Sequence, residues 1–156
     1  MEKESMHNPA EDERFMECAL KEALKAGAAG DVPVGAVIVK DGTVISRGRN
    51  RREKSNSPTA HAEIEAIEKA ARKTGHWRLL GCTLYVTMEP CAMCAGAVIN
   101  ARIPRVVFGA YDKRFGAFGS LYSLNEGKLN HTPDVTGGVL EEECTALLRD
   151  FFREKR

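Results

Sequence analysis

Residues 83–97 read TLYVTMEPCAMCAGA, and the way this stretch folds decides the architecture of the chain. Its first part, TLYVT (83–87), is a short strand rich in β-branched residues. Pro90 then opens a helix over Cys91–Ala101, where a missing backbone N–H costs nothing. RVVFGA (105–110) is the next strand. Upstream, VGAVIVK and TVISRGRN flank Asp41-Gly42, a pair suited to a type I′ turn, and predict a β-hairpin. A helix starts near Thr59–His61, carries Ile64, Ile67 and Ala71 on one face, and stops by Gly75. Helical spacing also joins Phe15, Ala19, Leu20, Ala23 and Leu24 over Glu11–Ala26, ended by the Gly27–Gly30 region. Leu140, Cys144, Leu147, Leu148 and Phe151 stripe a last helix, with Glu141–Glu143 at its start and Arg153, Lys155 and Arg156 at its end, matching its dipole. Residues 50–59 and 112–120 read as loops, and 121–134 are weakly patterned. A hairpin followed by alternating helices and strands implies an α/β domain with a mixed sheet.

A chain of 156 residues without repeats, linkers or low-complexity tracts argues for a single domain over 1–156, with 1–10 a flexible N-terminus. Hydrophobic content of 43% and charged content of 29% exclude disordered and collagen-like classes. No apolar run reaches the roughly 20 residues that cross a bilayer, so no membrane partner is expected. The start MEKESMHNPAEDE has no apolar h-region, which predicts no secretory signal. Five cysteines without an export signal point to a reduced compartment, and the expected location is cytoplasmic.

Net charge is only +1, yet the charge is unevenly spread. Residues 47–54 sum to +4, residues 69–78 carry Lys69, Arg72, Lys73 and Arg78, and residues 102–114 sum to +3. Taken singly, each cluster is an ordinary solvated face; together they matter if they surround a site.

The chemistry sits at two helix starts, His61-Ala62-Glu63 and Pro90-Cys91-Ala92-Met93-Cys94. Cys91 and Cys94 share a helix face, in a first turn whose dipole favours thiolates. One imidazole with two thiolates suits zinc. A structural zinc site calls for a fourth protein ligand, whereas Cys18, Cys82 and Cys144 lie in or beside apolar patterns and read as core. A thioredoxin-like pair leaves His61 and Glu63 without a task. Three ligands with an open position are the catalytic arrangement, one Zn2+ per subunit. Zinc can lower the pKa of water from about 15.7 toward 7, less so when two thiolates offset its charge. A base beside that water is then needed, and Glu63 stands two residues from His61. The expected reaction is hydrolytic deamination of an amino-substituted heterocycle.

The H-x-E…P-C-x-x-C pattern resembles the signature of zinc nucleoside and nucleobase deaminases. Residues 32–37 (VPVGAV), 58–64 (PTAHAEI), 83–97, 105–110, 116–120 (GAFGS), Asn130-His131 and 150–153 (DFFR) resemble the bacterial tRNA-specific adenosine deaminase family. Met88 and Tyr111 depart from its pattern; neither touches the zinc chemistry, and Tyr111 can alter the substrate loop. The resemblance implies a cytidine deaminase-like α/β/α sandwich of three layers and a homodimer. It also implies conversion of the wobble adenosine to inosine in the anticodon stem-loop of an arginine tRNA. Asn50 matches an asparagine that hydrogen-bonds the target nucleotide, though it also reads as a turn former. Val34 matches an apolar residue that packs on the base, and also reads as strand core. Phe152, about 100° round the helix from the core residue Phe151, is the candidate for the anticodon loop. Asp112 shapes the substrate mouth or fixes its own loop. The alternative is the same chemistry on a free base or nucleoside such as guanine or cytosine. A catalytically silent RNA-binding subunit is a further rival, against which the intact Glu63 speaks.

Overall fold

The computed structural model describes residues 8–155, so Met1–His7 of the expected flexible terminus and Arg156 lie outside it. Helix α1 spans Pro9–Ala28. This corrects the 1–10 boundary: Pro9 and Ala10 are helical because the Asn8 side chain accepts a hydrogen bond from Glu11 N at 3.2 Å and proline occupies the first turn. The hairpin is β1 (Gly35–Lys40) and β2 (Thr43–Arg49). Asp41 and Gly42 both take positive φ, 52° and 73°, as a type I′ turn demands. Within the expected loop lies a one-turn helix, α2 (Arg52–Ser55), which Asp31 caps by accepting from Glu53 N at 2.7 Å and Lys54 N at 3.1 Å.

Helix α3 (Ala62–Thr74), strand β3 (Cys82–Met88), helix α4 (Ala92–Asn100) and strand β4 (Arg105–Ala110) follow as read. A short strand absent from the sequence reading, β5 (Asp134–Thr136), pairs parallel with β4 at the edge. Helix α5 (Glu141–Glu154) closes the chain; Cys144 is its buried residue, while Leu147, Leu148 and Phe151 are half-buried. Phe151 is therefore less enclosed than a core residue.

The sheet order is β2-β1-β3-β4-β5, with β1 antiparallel to both β2 and β3, and β3, β4 and β5 parallel. Alternation along the strands divides the core in two. Ala36, Ile38, Leu84, Val86, Val106 and Phe108 pack with Ala62, Ala66 and Ala70 of α3 and Ala95 and Val98 of α4. Val37, Val39, Tyr85 and Val107 pack on the other side with Phe15, Met16 and Ala19 of α1 and Cys144 of α5. The result is a three-layer α/β/α sandwich around a mixed sheet. Small residues let the helices approach closely: a Cβ on Gly48 would meet the Ala62 carbonyl and lie 2.7 Å from Ala66 N.

Between layers, Arg105 donates to Asp12 at 2.9 and 2.8 Å, and the Tyr85 hydroxyl donates to the same carboxylate at 2.7 Å. Arg105 is thus interior, which removes it from the surface charge cluster of residues 102–114. Among the described residues, no helix is long and apolar enough to cross a membrane.

Candidate active site

The sheet brings two helix N-termini together. His61 is the N-cap of α3 and Cys91 the N-cap of α4, both with extended backbone and no side-chain cap of their own, so imidazole and thiol are free to point elsewhere. They point at each other. His61 Nδ1 lies 3.7 Å from Cys91 Sγ and 3.5 Å from Cys94 Sγ, and all three ligand atoms lie within 4.8 Å of one another. Tetrahedral zinc with bonds of about 2.0–2.1 Å to nitrogen and 2.3 Å to sulfur separates N from S by about 3.5 Å, so the donor set fits the metal. Among the described residues no other histidine, cysteine or carboxylate joins this group. His131 Nε2 hydrogen-bonds the Ile103 carbonyl at 2.7 Å, Cys82 and Cys144 are buried in the core, and His7 lies outside the described residues.

Electrostatics favour a thiolate at Cys91, while the hydrogen bond to Cys91 and then burial hold the Cys94 thiol up. Hydrogen bonds from Cys94 and then His61 pull the Cys91 thiol down to about 3, while hydrogen bonding to Cys91 raises His61 above its ordinary value. Glu63, one residue into α3, is only 4% exposed, and burial pushes its carboxyl up to about 7. A carboxyl in that range can both take and return a proton.

His61, Glu63 and Cys91 line a cavity of about 460 Å³ together with Val34, Asn50, Asp112 and Phe152, so one space gathers the expected site residues; Cys94 lies buried behind it. The cavity is also lined by Arg52, Met88, Glu89, Arg114 and Phe115, none of which the sequence reading assigned to the site. Of the two departures from the family pattern, Met88 lines the cavity, while Tyr111 packs edge-on against Phe108, ring centres 5.0 Å apart.

The plainer roles of the loop residues are occupied as well. Asn50 donates to the Val32 carbonyl at 3.2 Å and accepts from Arg52 N at 3.2 Å. Asp112 accepts from Arg114 N at 3.0 Å and Phe115 N at 3.1 Å, a local turn. Phe152 is 49% exposed at the rim, edge-on to Phe151 with 5.5 Å between ring centres.

Residues 9–110 match the model of the cytidine and deoxycytidylate deaminase zinc-binding region. The chain belongs to this zinc deaminase family. Within it, the tRNA-specific adenosine deaminase of Bacillus subtilis is 51% identical over 147 residues, covering 94% of this chain and 91% of that protein. The Haemophilus influenzae enzyme of the same name is 50% identical, covering 93% and 85%. A solved structure from work on A-to-I editing by tRNA:A34 deaminases superposes with a TM-score of 0.83 at 47% identity, covering 86% of this deaminase and 99% of that chain. A guanine deaminase from Nitrosomonas europaea superposes at 0.78 with 28% identity, covering 89% and 83%. The zinc deaminase family read from the motif and the α/β/α fold implied by the resemblance are both borne out.

Proposed function

We propose that this deaminase converts adenosine to inosine at the wobble position of a tRNA anticodon, arginine tRNA being the expected substrate. The observation that carries the reading is the shared cavity: a buried carboxyl, Glu63, beside a His-Cys-Cys cluster, under a rim that bears exposed Arg52, Arg114 and Phe152. Its volume falls within the roughly 300–1,000 Å³ of small-molecule sites, room for a single nucleoside. The flanking RNA therefore lies across the rim. Identity of 50–51% over 93–94% of the chain to proteins named tRNA-specific adenosine deaminase supports the same substrate class.

His61, Cys91 and Cys94 hold the zinc, which supplies Lewis acidity that makes water a nucleophile near neutral pH. Glu63 takes a proton from the attacking water and delivers it to N1 of the purine as oxygen adds at C6. It then moves the remaining hydroxyl proton to the amino group, the C6–N bond breaks, and ammonia leaves. Val34 and the His61 ring sandwich the base, and the Asn50 amide, able to donate and accept, meets the nucleotide. Asp112 shapes the mouth and Phe152 stacks on a loop base. An anticodon loop lowers the cost of bringing the base out, since the base is already unpaired.

The whole chain acts as one deaminase domain, in the cytoplasm and as a homodimer. Exposed Met93, Leu121, Tyr122 and Leu129 supply apolar surface for a second copy. A guanine or other free-base deaminase is the second reading, favoured by the likeness to the Nitrosomonas protein. The deciding assay incubates zinc-loaded protein with unmodified tRNA carrying a wobble adenosine, with free adenosine, guanine and cytosine in parallel. Inosine in the tRNA alone supports the proposal. Turnover of a free base alone selects the second reading.

A further inference from the structure

Glu89 has no part in the chemistry above, yet its carboxylate is 3% exposed and surrounded by donors from a single loop. One oxygen, Oε1, accepts from Asp112 N at 3.1 Å and from the Ser120 hydroxyl. The other, Oε2, accepts from Phe118 N and Ser120 N, each at 3.1 Å. Gly116 lies against the same group, so close that a Cβ there would collide with the carboxylate and the Asp112 carbonyl. An ionised carboxylate offers acceptors only, and here both oxygens are used by N–H and O–H groups of residues 112–120.

The far end of that loop is pinned by Ala117 and Phe118, which are buried in the core, whereas residues 112–115 are not buried. The loop's backbone ties outside itself begin with an Ala117 N bond to the Pro90 carbonyl at 2.9 Å. The others run to residues 121–124: bonds from Leu121 N and Tyr122 N to Gly116 O, from Gly119 N to Tyr122 O and from Leu124 N to Ala117 O, with an isolated bridge between Phe118 and Ser123. Three of its side chains, Asp112, Arg114 and Phe115, form one wall of the cavity. Glu89 is two residues before Cys91, with rigid Pro90 between them. One short segment thus carries a zinc ligand on one side and the anchor of the substrate wall on the other.

We propose that Glu89 is a positioning residue: it fixes the 112–120 wall relative to the reacting centre and so sets the affinity for RNA around the target adenosine. The kinetic consequence rests on the tRNA reading above; the anchoring itself does not. Glu89→Gln preserves the shape but turns an amide NH2 toward backbone donors. In the zinc-loaded full chain, we expect amide exchange of residues 112–120 to accelerate at least about tenfold while β3, α3 and α4 keep their protection. On an anticodon stem-loop, KM should rise about tenfold with kcat within about threefold, the pattern of lost uniform binding. Zinc should remain at one per chain.

Unchanged exchange in the loop overturns the anchoring whatever the substrate is. A fall in kcat with KM unchanged, or loss of zinc, assigns Glu89 to support of Cys91 and overturns the proposal. If Glu89→Gln does not fold, Gly116→Ala pushes the loop off the carboxylate and Ser120→Ala removes one of its donors. Both should raise KM, and unchanged KM in both overturns the proposal. If the parent protein makes no inosine in tRNA, the substrate reading fails, while the exchange measurement still decides the role of Glu89.

Discussion

His61 Nδ1 lies 3.5 Å from Cys94 Sγ, although 33 positions of chain separate the two residues. The meeting follows from the sheet, which seats α3 and α4 on the same face and aligns their N-termini. A metal held this way depends on each ligand. His61→Ala and Cys94→Ser should each weaken zinc binding by more than the about 10–100-fold that follows loss of an outer-shell partner. Metal analysis after dialysis against a weak chelator checks this. Stoichiometric zinc retained in Cys94→Ser contradicts the assignment.

In the proposed mechanism Glu63 carries protons and takes no part in holding the metal. Glu63→Ala should keep zinc and lower the rate of inosine formation by at least about 10²–10⁴-fold. The variant should melt no lower than the parent, since burial that pushes the Glu63 carboxyl up to about 7 holds it at a cost to stability. Single-turnover assays beside metal analysis and a melting curve test all of this. Turnover within tenfold of the parent rules out Glu63 as the proton carrier.

Asp12 joins the layers by accepting from Arg105 twice and from Tyr85. Replacing it leaves the Arg105 charge nearly enclosed by protein. Asp12→Ala should therefore lose about 3–5 kcal/mol, as truncation of one partner of a buried pair does. Urea unfolding measures it, and a loss below 1 kcal/mol would show that the ion pair does not hold α1 to the sheet.

The same cluster gives the fold an alkaline limit. Burial, then the hydrogen bond to Asp12, raises the Tyr85 hydroxyl above its ordinary value of 10.0. The folded state keeps a proton that the unfolded chain releases, so this contribution is complete below pH 10 and declines as pH rises beyond it. Tyr85→Phe should lose the bond to the Asp12 carboxylate, about 1.5–3 kcal/mol at neutral pH. It should also show a shallower decline in urea midpoint between pH 9 and 11. Cys82 and Cys144, whose thiols burial also raises, contribute equally to both proteins, so the difference between the curves is the readout.

Local signals were legible and distant ones were not. Asp41-Gly42 announced its turn because both residues tolerate positive φ, and β-branched residues marked the strand that became β3. The His61–Cys91–Cys94 cluster and Glu63 beside it were readable as candidates because each helix start carries its chemistry within four residues. Helix α2 was invisible, since Arg-Glu-Lys-Ser has no apolar period and its cap, Asp31, stands more than 20 positions upstream. Strand β5, three residues long, exists through its pairing with β4. Arg105 read as a surface charge because its partner lies 93 positions away. Glu89 could not be recognised until the 112–120 loop folded back onto it. The Asn8-Pro9 start of α1, by contrast, was local and readable, yet was assigned to a tail.

A cavity with room for one nucleoside would leave the rest of an RNA to the rim, where exposed Arg52 opens α2 and exposed Arg114 stands on the 112–120 loop. Neither has a carboxylate partner among the described residues, so each is available to a phosphate. Other cations are already committed: Arg51 pairs with Glu65 at 2.7 Å, and Arg105 is interior. Binding of an anticodon stem-loop should weaken linearly in a log–log plot against salt, with a slope of about −0.7 to −0.9 per phosphate neutralised. Arg52→Ala and Arg114→Ala should each flatten that slope by about one phosphate contact. Arg78→Ala, at the Trp77 cavity away from the site, should leave it unchanged. Fluorescence anisotropy between 50 and 300 mM salt reads all four proteins. Equal slopes across them would move the RNA path away from these two arginines.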